Sequence, residues 1–389
     1  MNKNSSPDIN VITTSADLEA YCGALRSKPF ISVDTEFMRE RTYWPILCLI
    51  QAAAEGVEAI IDPMADLDLA PFLEILADEK IVKVFHAARQ DMEIFVKLMD
   101  AVPAPIFDTQ VAAMACGYGD QVGYEPLMRG LLGAQIDKGS RFTDWSRRPL
   151  SPAQLSYALS DVTHLRDAYP LLLEKLSESN RHSWVEEEMA AFADRSLYEV
   201  QPEDAWARLK LRGVRPNEIG VIMALAEWRE REAQERDQPR SRILKDDAIF
   251  ELARLKPKSA DAMARARALP KGTERSKLGN ILLDTIKVGL AIPESELPEM
   301  EKPGRVAPPP AEVVELLKVL LKRQCETYDV APKLIASTND LERLARDQKA
   351  DIPAMHGWRR EVFGEPALRL MAGKIGMRLN RRKIEIFDL

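Results

Sequence analysis

Residues 30–37 have the sequence Phe-Ile-Ser-Val-Asp-Thr-Glu-Phe, and this stretch decides the fold class of the N-terminal half. Its first part is apolar and β-branched apart from Ser32, which is typical of a buried strand. Side chains two residues apart in a strand point to the same face of the sheet. We therefore expect Asp34 and Glu36 to present two carboxylates side by side where the strand ends.

Two carboxylates so close repel each other unless a cation lies between them. A hard divalent ion with oxygen ligands, Mg²⁺ or Mn²⁺, meets that requirement. An isolated Asp-x-Glu pair is more often a pair of solvated charges at a strand end. The motif by itself therefore predicts no metal site.

Further strands are predicted on both sides of a helical stretch that follows residues 30–37. Short apolar runs at residues 47–52, 59–62 and 81–85 have strand character, and residues 67–77 have helical spacing. Alternation of strands and helices indicates an α/β sheet domain.

Asp91 is a third candidate acid, because it follows the predicted strand 81–85 at the start of a helix that continues through Leu98. An acid at the start of a helix also has an ordinary role. It stabilises the helix dipole by about 0.3–1 kcal/mol without any catalytic function.

A long helix is predicted from Ser151 to Leu176, because Ser151 supplies an N-cap and Pro152 suits the first turn. Tyr157 and Asp161 are four residues apart and so lie on one helix face, with Cβ atoms about 5–6 Å apart. A carboxylate can hold a metal, and a phenol beside it can orient or help deprotonate a water molecule. A half-buried tyrosine next to an exposed aspartate is also common on amphipathic helices.

The combined order Asp-x-Glu, Asp, Tyr-x-x-x-Asp resembles the DEDD superfamily of exonucleases. Ser156 occupies the position where the histidine-bearing branch has its histidine, so the chain is similar to the tyrosine-bearing branch. The resemblance implies a ribonuclease-H-like mixed sheet flanked by helices. It also implies two divalent metal ions, Mg²⁺ or Mn²⁺, and a water-positioning role for Tyr157. The implied metal ligands are Asp34, Glu36, Asp91 and Asp161.

Several motifs narrow the resemblance to the bacterial ribonuclease D family: residues 33–37, 49–51, 86–87, 107–110, and 143–151. The family resemblance implies a 3′→5′ exoribonuclease that releases nucleoside 5′-monophosphates. In the implied arrangement Asp34 bridges both ions, Glu36 and Asp161 hold the one that activates water, and Asp91 helps with the other. The implied partners are RNAs, especially tRNA precursors with 3′ extensions.

Downstream of residue 202 the strand signals vanish and two helical blocks are predicted. Block 203–290 resembles an HRDC domain, and block 308–389 resembles the divergent second HRDC-like domain that ends ribonuclease D proteins. Six prolines between Pro293 and Pro310 indicate that residues 291–307 form a linker. The resulting prediction is an exonuclease domain over 1–195, followed by two all-α domains. The pairs Trp228-Arg229 and Trp358-Arg359 suggest a weak internal duplication.

Charge differs between the two halves of the chain. Residues 1–200 have 18 basic and 31 acidic side chains, whereas residues 201–389 have 36 basic and 30 acidic ones. The basic half is expected to hold the body of a structured RNA, although a solvated surface is an alternative. Deleting 203–389 is then expected to weaken binding of folded RNA while sparing the trimming of short strands. The expected RNA contacts include Arg240, Arg242, Lys245, Lys256 and Lys258.

Candidate substrate contacts near the acids are Phe37, Gln51, His86 and Arg148. Phe37 and Met38 are placed to wedge against the terminal base but suit the core equally well, and His86 suits a structural role. Arg147 and Arg148 are candidate phosphate contacts, because guanidinium groups pair well with phosphate oxygens. Asp108 is predicted to cap a helix that starts at Thr109.

Bulk properties limit the other possibilities. The sequence contains no apolar run of about 20 residues and no apolar signal segment near Met1, so a cytoplasmic location without membrane contact is expected. The four widely spaced cysteines indicate neither a zinc knuckle nor a disulfide framework. A monomer is the default expectation. Two alternatives stay open, a DNA-directed exonuclease with the same chemistry and a catalytically silent nucleic-acid-binding scaffold.

Overall fold

The computed structural model describes residues 9–136, 139–140, 143–211, 213–298 and 308–389. Its backbone divides into two compact units. One, here called the sheet unit, contains the described chain up to Glu36, then Cys48–Arg195 and residues 308–389. The other, the helical unit, contains Phe37–Leu47 and residues 196–298.

A six-stranded mixed sheet forms the centre of the sheet unit, with strand order β1-β4-β3-β2-β5-β6. The pairs β1–β4, β2–β5 and β5–β6 are parallel, and β3–β4 is antiparallel. The mixed sheet predicted from the sequence is therefore confirmed. The strands are β1 (Val11–Ile12), β2 (Phe30–Met38), β3 (Ile46–Ala54), β4 (Val57–Ile61), β5 (Val82–Phe85) and β6 (Ile106–Asp108).

Strands β1 and β6 were not predicted, because two and three residues are too few to display an alternating pattern. The predicted long helix is confirmed as α6, where Ser151 and Gln154 form a capping box. The helices of this part are α1 (Ser15–Leu25), α2 (Ala70–Ala77), α3 (Arg89–Met99), α4 (Thr109–Ala115), α5 (Tyr124–Leu132), α6 (Pro152–Glu178) and α7 (His182–Ala190).

The helical unit has a compact apolar core around residues such as Ile222, Leu252 and Leu282. Its α-helices are α8 (Ile219–Glu235), α9 (Arg240–Ile243), α10 (Asp246–Leu255), α11 (Ala260–Met263) and α12 (Lys277–Ala291). A 3₁₀ helix, Pro202–Arg208, precedes them. Gly220 and Gly289 allow α8 and α12 to approach closely, since a Cβ atom at Gly220 would lie 2.5 Å from the Gly289 carbonyl oxygen.

Residues 308–389 are helical as predicted but end in strands. The α-helices are α13 (Ala311–Tyr328), α14 (Pro332–Ile335), α15 (Thr338–Arg346), α16 (Gly357–Arg359) and α17 (Glu365–Met371), with a π-helical turn at Arg360–Gly364. Strands β7 (Ile375–Asn380) and β8 (Lys383–Asp388) then form an antiparallel hairpin. The prediction of all-α structure after residue 202 is wrong here. The hairpin turn, Arg381-Arg382, contains none of the glycine or asparagine residues that usually mark such turns.

The same C-terminal residues share a hydrophobic core with the sheet. Leu317 and Phe363 belong to the buried cluster that also contains Leu165 and Leu172 of α6. The Trp184 ring of α7 stacks on Trp358 with centroids 4.0 Å apart. Residues 308–389 are thus structurally part of the sheet unit, and a deletion that removes them would expose this core. The expectation that deleting 203–389 spares trimming of short strands is corrected on that ground.

The helical segments before and after the proline-rich stretch have a similar order of helices. Helices α8, α9 and α10 have 17, 4 and 10 residues, and α13, α14 and α15 have 18, 4 and 9. This order supports the proposed HRDC-like character of 308–389 and an internal duplication. The two Trp-Arg pairs do not correspond, since one lies in α8 and the other in α16.

The predicted domain boundaries are tested only in part by the described residues. Of the predicted linker 291–307, residues 299–307 lie outside the described residues, as do residues 1–8 of the first predicted domain. Among the described helices, we find none that is both long and apolar enough to cross a membrane.

Candidate active site

Three of the predicted acids converge at one end of β2. Carboxylate oxygens of Asp34, Glu36 and Asp161 all lie within 4.8 Å of one another. Asp161 is buried in α6, and the two acids of β2 are partly buried. Three carboxylates at this spacing form a donor set that suits a hard divalent cation.

Ser32 explains how acids so far apart in sequence meet. Its hydroxyl lies 2.8 Å from the carbonyl oxygen of Val162 and 3.0 Å from that of Ala53. These contacts tie β2 to α6 beside Asp161 and to β3 on its other side. The signal in the sequence was a single polar residue within an apolar strand.

Asp91 lies in the first turn of α3, and it is not one of the three acids that share the 4.8 Å cluster. Thr35, the residue between the two acids of β2, donates a hydrogen bond to the Asp91 carboxylate. Burial raises the pKa of Asp91 well above its usual value, and the nearby charge of Asp34 adds to that effect. The fourth acid is thus held next to the cluster by Thr35.

The pKa of Asp34 shows that its carboxylate is poorly solvated. Burial raises its pKa to about 6, only partly opposed by a hydrogen bond from the backbone of Thr35. Near neutral pH Asp34 is therefore still largely ionised in a poorly solvated place, and its charge repels the Asp91 carboxylate. A bound cation would offset this repulsion.

Tyr157 is one helical turn before Asp161, as predicted. Burial raises the pKa of Tyr157 far above neutral pH, and the charges of Asp161 and Glu36 raise it further. The Trp145 ring packs against it with centroids 6.1 Å apart. The hydroxyl is therefore protonated in the metal-free site, which suits a role in orienting water better than a role as a base.

Tyr124 is a residue of the site that the sequence analysis missed. Its hydroxyl donates to the backbone carbonyl of Asp161 and lies 3.3 Å from that of Ser160. It lines a cavity of about 280 Å³ that also contains Asp34, Tyr157 and Asp161. Its position at the first turn of α5 was the only signal, and a helix start does not reveal what a side chain faces.

His86 lines the same cavity. Its Nδ1 lies 3.0 Å from the Thr109 hydroxyl, and the ring meets Tyr124 edge-on at 5.5 Å. Burial lowers the pKa of His86, so the imidazole is neutral at pH 7, although Asp108 opposes the shift. The buried Nε2 atom makes no hydrogen bond of ordinary geometry within the described structure, although the Val122 backbone acts on the ring and raises its pKa.

Asp108 caps α4, as predicted, by accepting from Gln110 N at 2.8 Å. It also accepts hydrogen bonds from the backbone of Ala87 and Ala88, at 3.1 and 2.8 Å. Ala87 has a left-handed backbone with φ of 58°. Asp108 therefore stabilises the turn that leads from His86 into α3.

Two of the candidate substrate contacts have surroundings that favour a structural role. The Arg148 guanidinium donates to both Asp62 oxygens at 2.6 and 2.7 Å and to the Cys48 carbonyl at 2.9 Å. Gln51 is fully buried in β3. Arg147, by contrast, has 83% of its side chain exposed, and its guanidinium lies 4.0 Å from the Asp144 carboxylate. Phe37 is partly exposed near the end of β2 and stays a candidate.

Comparisons with known proteins agree with this geometry. A 3′-5′ exonuclease family model matches residues 9–177, and an HRDC domain model matches residues 218–286. The chain is 48% identical to "Ribonuclease D" of Acidiphilium cryptum over 99% of this chain and 98% of that protein. It is also 48% identical to "Ribonuclease D" of Gluconacetobacter diazotrophicus over 96% of this chain and 95% of that protein.

Solved structures agree as well. Escherichia coli RNase D, described as an exoribonuclease involved in structured RNA processing, matches with a TM-score of 0.82 and 30% identity. The match covers 94% of this chain and 99% of that one. The catalytic core of RRP6 from Trypanosoma brucei matches with a TM-score of 0.56 at 23% identity over 75% of this chain and 81% of that one, which shows a shared fold. Named relatives align over nearly the full length of this chain, and its acids converge at one place. This chain therefore belongs to the ribonuclease D family and is a 3′→5′ exoribonuclease.

Proposed function

We propose that the acids Asp34, Glu36, Asp91 and Asp161 hold two divalent ions, Mg²⁺ or Mn²⁺, for hydrolysis of the 3′-terminal phosphodiester of RNA. The convergence of three carboxylates within 4.8 Å beside a cavity is the observation that carries this proposal. Bound ions of this kind activate water and neutralise charge that develops on phosphate oxygens. The buried, mutually repelling acids suit such ions chemically.

Tyr157 is proposed to orient the attacking water through its hydroxyl. The phenol stays protonated in the metal-free site, and the contact with Trp145 restricts its ring. Tyr124, through its bond to the Asp161 backbone, is proposed as a positioning residue for that acid. The products are a nucleoside 5′-monophosphate and an RNA shortened by one nucleotide with a new 3′ hydroxyl.

The 3′-terminal nucleotide is proposed to enter the cavity that His86 lines. A buried ring nitrogen without a partner is costly, and a ribose hydroxyl can supply the missing hydrogen bond. Phe37 and Arg147 are proposed as contacts to the base and the phosphate backbone. Arg148 is proposed to support the site from behind through its bonds to Asp62 and Cys48, and Gln51 through its burial in β3.

The substrates in the cell are proposed to be structured RNAs such as tRNA precursors with 3′ extensions. The E. coli relative is described as acting in structured RNA processing, and we propose the same role for this chain. We also propose that the protein works as a monomer in the cytoplasm.

A 3′-extended tRNA tests the proposal directly. The full-length chain is incubated with this RNA in Mg²⁺, in Mn²⁺ and in EDTA, and the products are resolved by length. We expect stepwise shortening from the 3′ end with either ion and none in EDTA. Shortening that continues in EDTA, or internal cleavage, would contradict the proposal.

Two oligonucleotides that differ only in the sugar of the 3′-terminal nucleotide test the role of the ribose. If a 2′ hydroxyl bonds in the His86 cavity, an oligonucleotide with a single 3′-terminal deoxynucleotide should be trimmed more slowly than the all-ribose strand for its first step only. Equal first-step rates would show that this hydroxyl is not recognised.

A further inference from the structure

A groove in the sheet unit lies between α13 and the C-terminal hairpin, with a volume of about 940 Å³. Its charged lining residues are Arg323 of α13 and Arg381, Arg382, Lys383 and Glu385 of the hairpin. The groove therefore has four cationic side chains and one acidic side chain. In a chain whose formal net charge is −7, this is a local excess of positive charge.

The acids near this groove are already paired. Glu385 bonds to Arg378 at 2.9 Å, and Glu326 lies 3.7 Å from Arg323. Arg381, Arg382 and Lys383 are exposed, and no acidic partner is found for them among the described residues. Three adjacent cations without counter-charges strongly attract a polyanion.

The backbone of the hairpin fixes the positions of these cations. Arg381 and Arg382 form the two-residue turn between the paired residues Asn380 and Lys383, and Arg381 has a left-handed φ of 57°. On the other wall, Gln324 of α13 is buried and donates to the Val362 carbonyl at 2.7 Å. The cations thus project from a hairpin at the rim of a groove with a packed wall.

We propose that this groove binds the phosphate backbone of the RNA body while the 3′ end is trimmed elsewhere in the molecule. The proposal rests on the proposed function, because it assumes an RNA substrate. Guanidinium groups pair with phosphate oxygens in bidentate fashion, and an open groove suits a backbone better than a small molecule. None of the contacts proposed in the sequence analysis includes these residues.

The test uses the full-length triple variant Arg381→Gln/Arg382→Gln/Lys383→Gln, which changes only exposed side chains. Binding of a 3′-extended tRNA and of a short single-stranded RNA is measured over a range of salt concentrations, without divalent ions. We expect about a 10-fold or greater loss of affinity for the tRNA near 0.1 M salt. The slope of log K against log salt should fall by roughly one for each lost contact. Trimming of the short RNA in Mg²⁺ should be unchanged.

A matched control removes the same charge elsewhere, with Lys80→Gln/Lys97→Gln/Lys349→Gln, all at exposed positions. This control should bind the tRNA like wild type. Unchanged tRNA binding by the groove variant would overturn the proposal, and so would an equal loss in both triple variants, which would reflect net charge alone. Failure of the wild-type protein to trim the short RNA would instead reject the proposed function. Circular dichroism melting confirms that each variant is folded.

Discussion

At the scale of single residues, the acids that the reaction needs also lower the stability of the folded chain. Asp34, Asp91 and Asp161 are carboxyl groups in poorly solvated positions, and such groups favour ligands that neutralise their charged form. Thr35 and Ser32, which flank Asp34, use their hydroxyls to hold the neighbouring acid and the neighbouring helix. The motif Ser-Val-Asp-Thr-Glu therefore supplies two of the three clustered acids and part of their support.

Replacing Asp34 with Asn should have opposite effects on activity and on stability. Loss of a metal ligand should reduce kcat by about 1,000-fold or more, since several kcal/mol of transition-state stabilisation are removed. The metal-free variant should nevertheless be more stable than wild type by on the order of 1–3 kcal/mol, because a carboxylate that burial disfavours is removed together with its repulsion of Asp91. Urea denaturation in EDTA and RNA trimming in Mg²⁺ measure the two effects.

The stability of the metal-free protein should depend on pH in a defined direction. The folded-state pKa of Asp34 is raised to about 6, above its value in the unfolded chain. Metal-free wild type therefore loses stability as pH rises from about 4 to 6, and the Asn variant should lose less over that range. Glu79→Gln, which changes an exposed acid, is the control for net charge. Wild-type trimming by the Asn variant would refute the assignment of Asp34.

Replacing Tyr157 with Phe should lower turnover but not binding. The variant keeps the ring that packs on Trp145 and loses the hydroxyl that orients water. We expect kcat to fall by about 100-fold, within the usual range for a proton-handling group, with RNA affinity within about 2-fold of wild type. Single-turnover rates and binding isotherms separate these quantities. A loss of binding equal to the loss of rate would show that Tyr157 acts mainly on the substrate.

At the scale of elements, Phe37–Leu47 is the segment that the sequence analysis explained least. It follows directly on Glu36 and belongs to the helical unit. Asp237 accepts hydrogen bonds from the backbone of Tyr43 and Trp44 at 3.1 and 2.9 Å. The Tyr43 hydroxyl bonds to Glu230, whose side chain is fully buried in α8. The segment that continues from the strand of Asp34 and Glu36 is thus held by the HRDC-type helices.

Arg240 completes this hydrogen-bond network. Its guanidinium donates to Glu230 at 2.6 Å and to the Tyr43 hydroxyl at 2.9 Å. Burial by itself would raise the pKa of Glu230, but the bonds from Arg240 and Tyr43 outweigh burial and lower it. The charge of Arg240 therefore neutralises a buried carboxylate, and its contact with RNA stays a prediction.

Removing Arg240 should therefore destabilise the fold strongly. Arg240→Met leaves the buried Glu230 without its counter-charge and should cost about 3–5 kcal/mol of unfolding free energy. Arg242→Met, at an exposed position two residues away, is the control and should cost less than about 0.5 kcal/mol. Urea denaturation followed by tryptophan fluorescence measures both. The double variant Arg240→Met/Glu230→Leu should recover most of the loss, and failure to recover would mean that the pair is not the cause.

At the scale of the whole molecule, the chain crosses between the two units more than once. The C-terminal helices return to the sheet unit, where Arg359 pairs with Glu187 and Glu188 of α7. Apolar residues of α13 complete the core beside α6. The order of domains along the sequence therefore differs from their grouping in space.

A pair of neighbouring leucines tests whether α13 belongs to the core of the sheet unit. Leu317 is fully buried, whereas Leu316 has 48% of its surface exposed. Leu317→Ala should cost about 2–5 kcal/mol, and Leu316→Ala less than about 0.5 kcal/mol. Because the core is shared, the loss should appear in the unfolding transition that also reports metal binding. A separate early transition that leaves metal binding intact would instead indicate an independent C-terminal domain.

The sequence by itself determined the elements whose physical basis is local. The apolar run of β2, the Ser151 N-cap of α6 and the four-residue spacing of Tyr157 and Asp161 are local patterns, and all appear in the structure as predicted. The acids were recognisable because each lies next to such a pattern. The family resemblance then supplied the reaction, and the comparisons confirm it.

Only the tertiary structure decided which distant groups meet. No local pattern shows that Thr35 bonds Asp91, that Tyr124 faces the cavity, or that Arg148 is bound to Asp62. The return of residues 308–389 to the first core was hidden for the same reason, whereas the closing hairpin was missed because its turn, Arg381-Arg382, contains no glycine or asparagine. Burial and hydrogen bonding between residues far apart in the chain depend on how the elements pack, and packing is a property of the folded molecule.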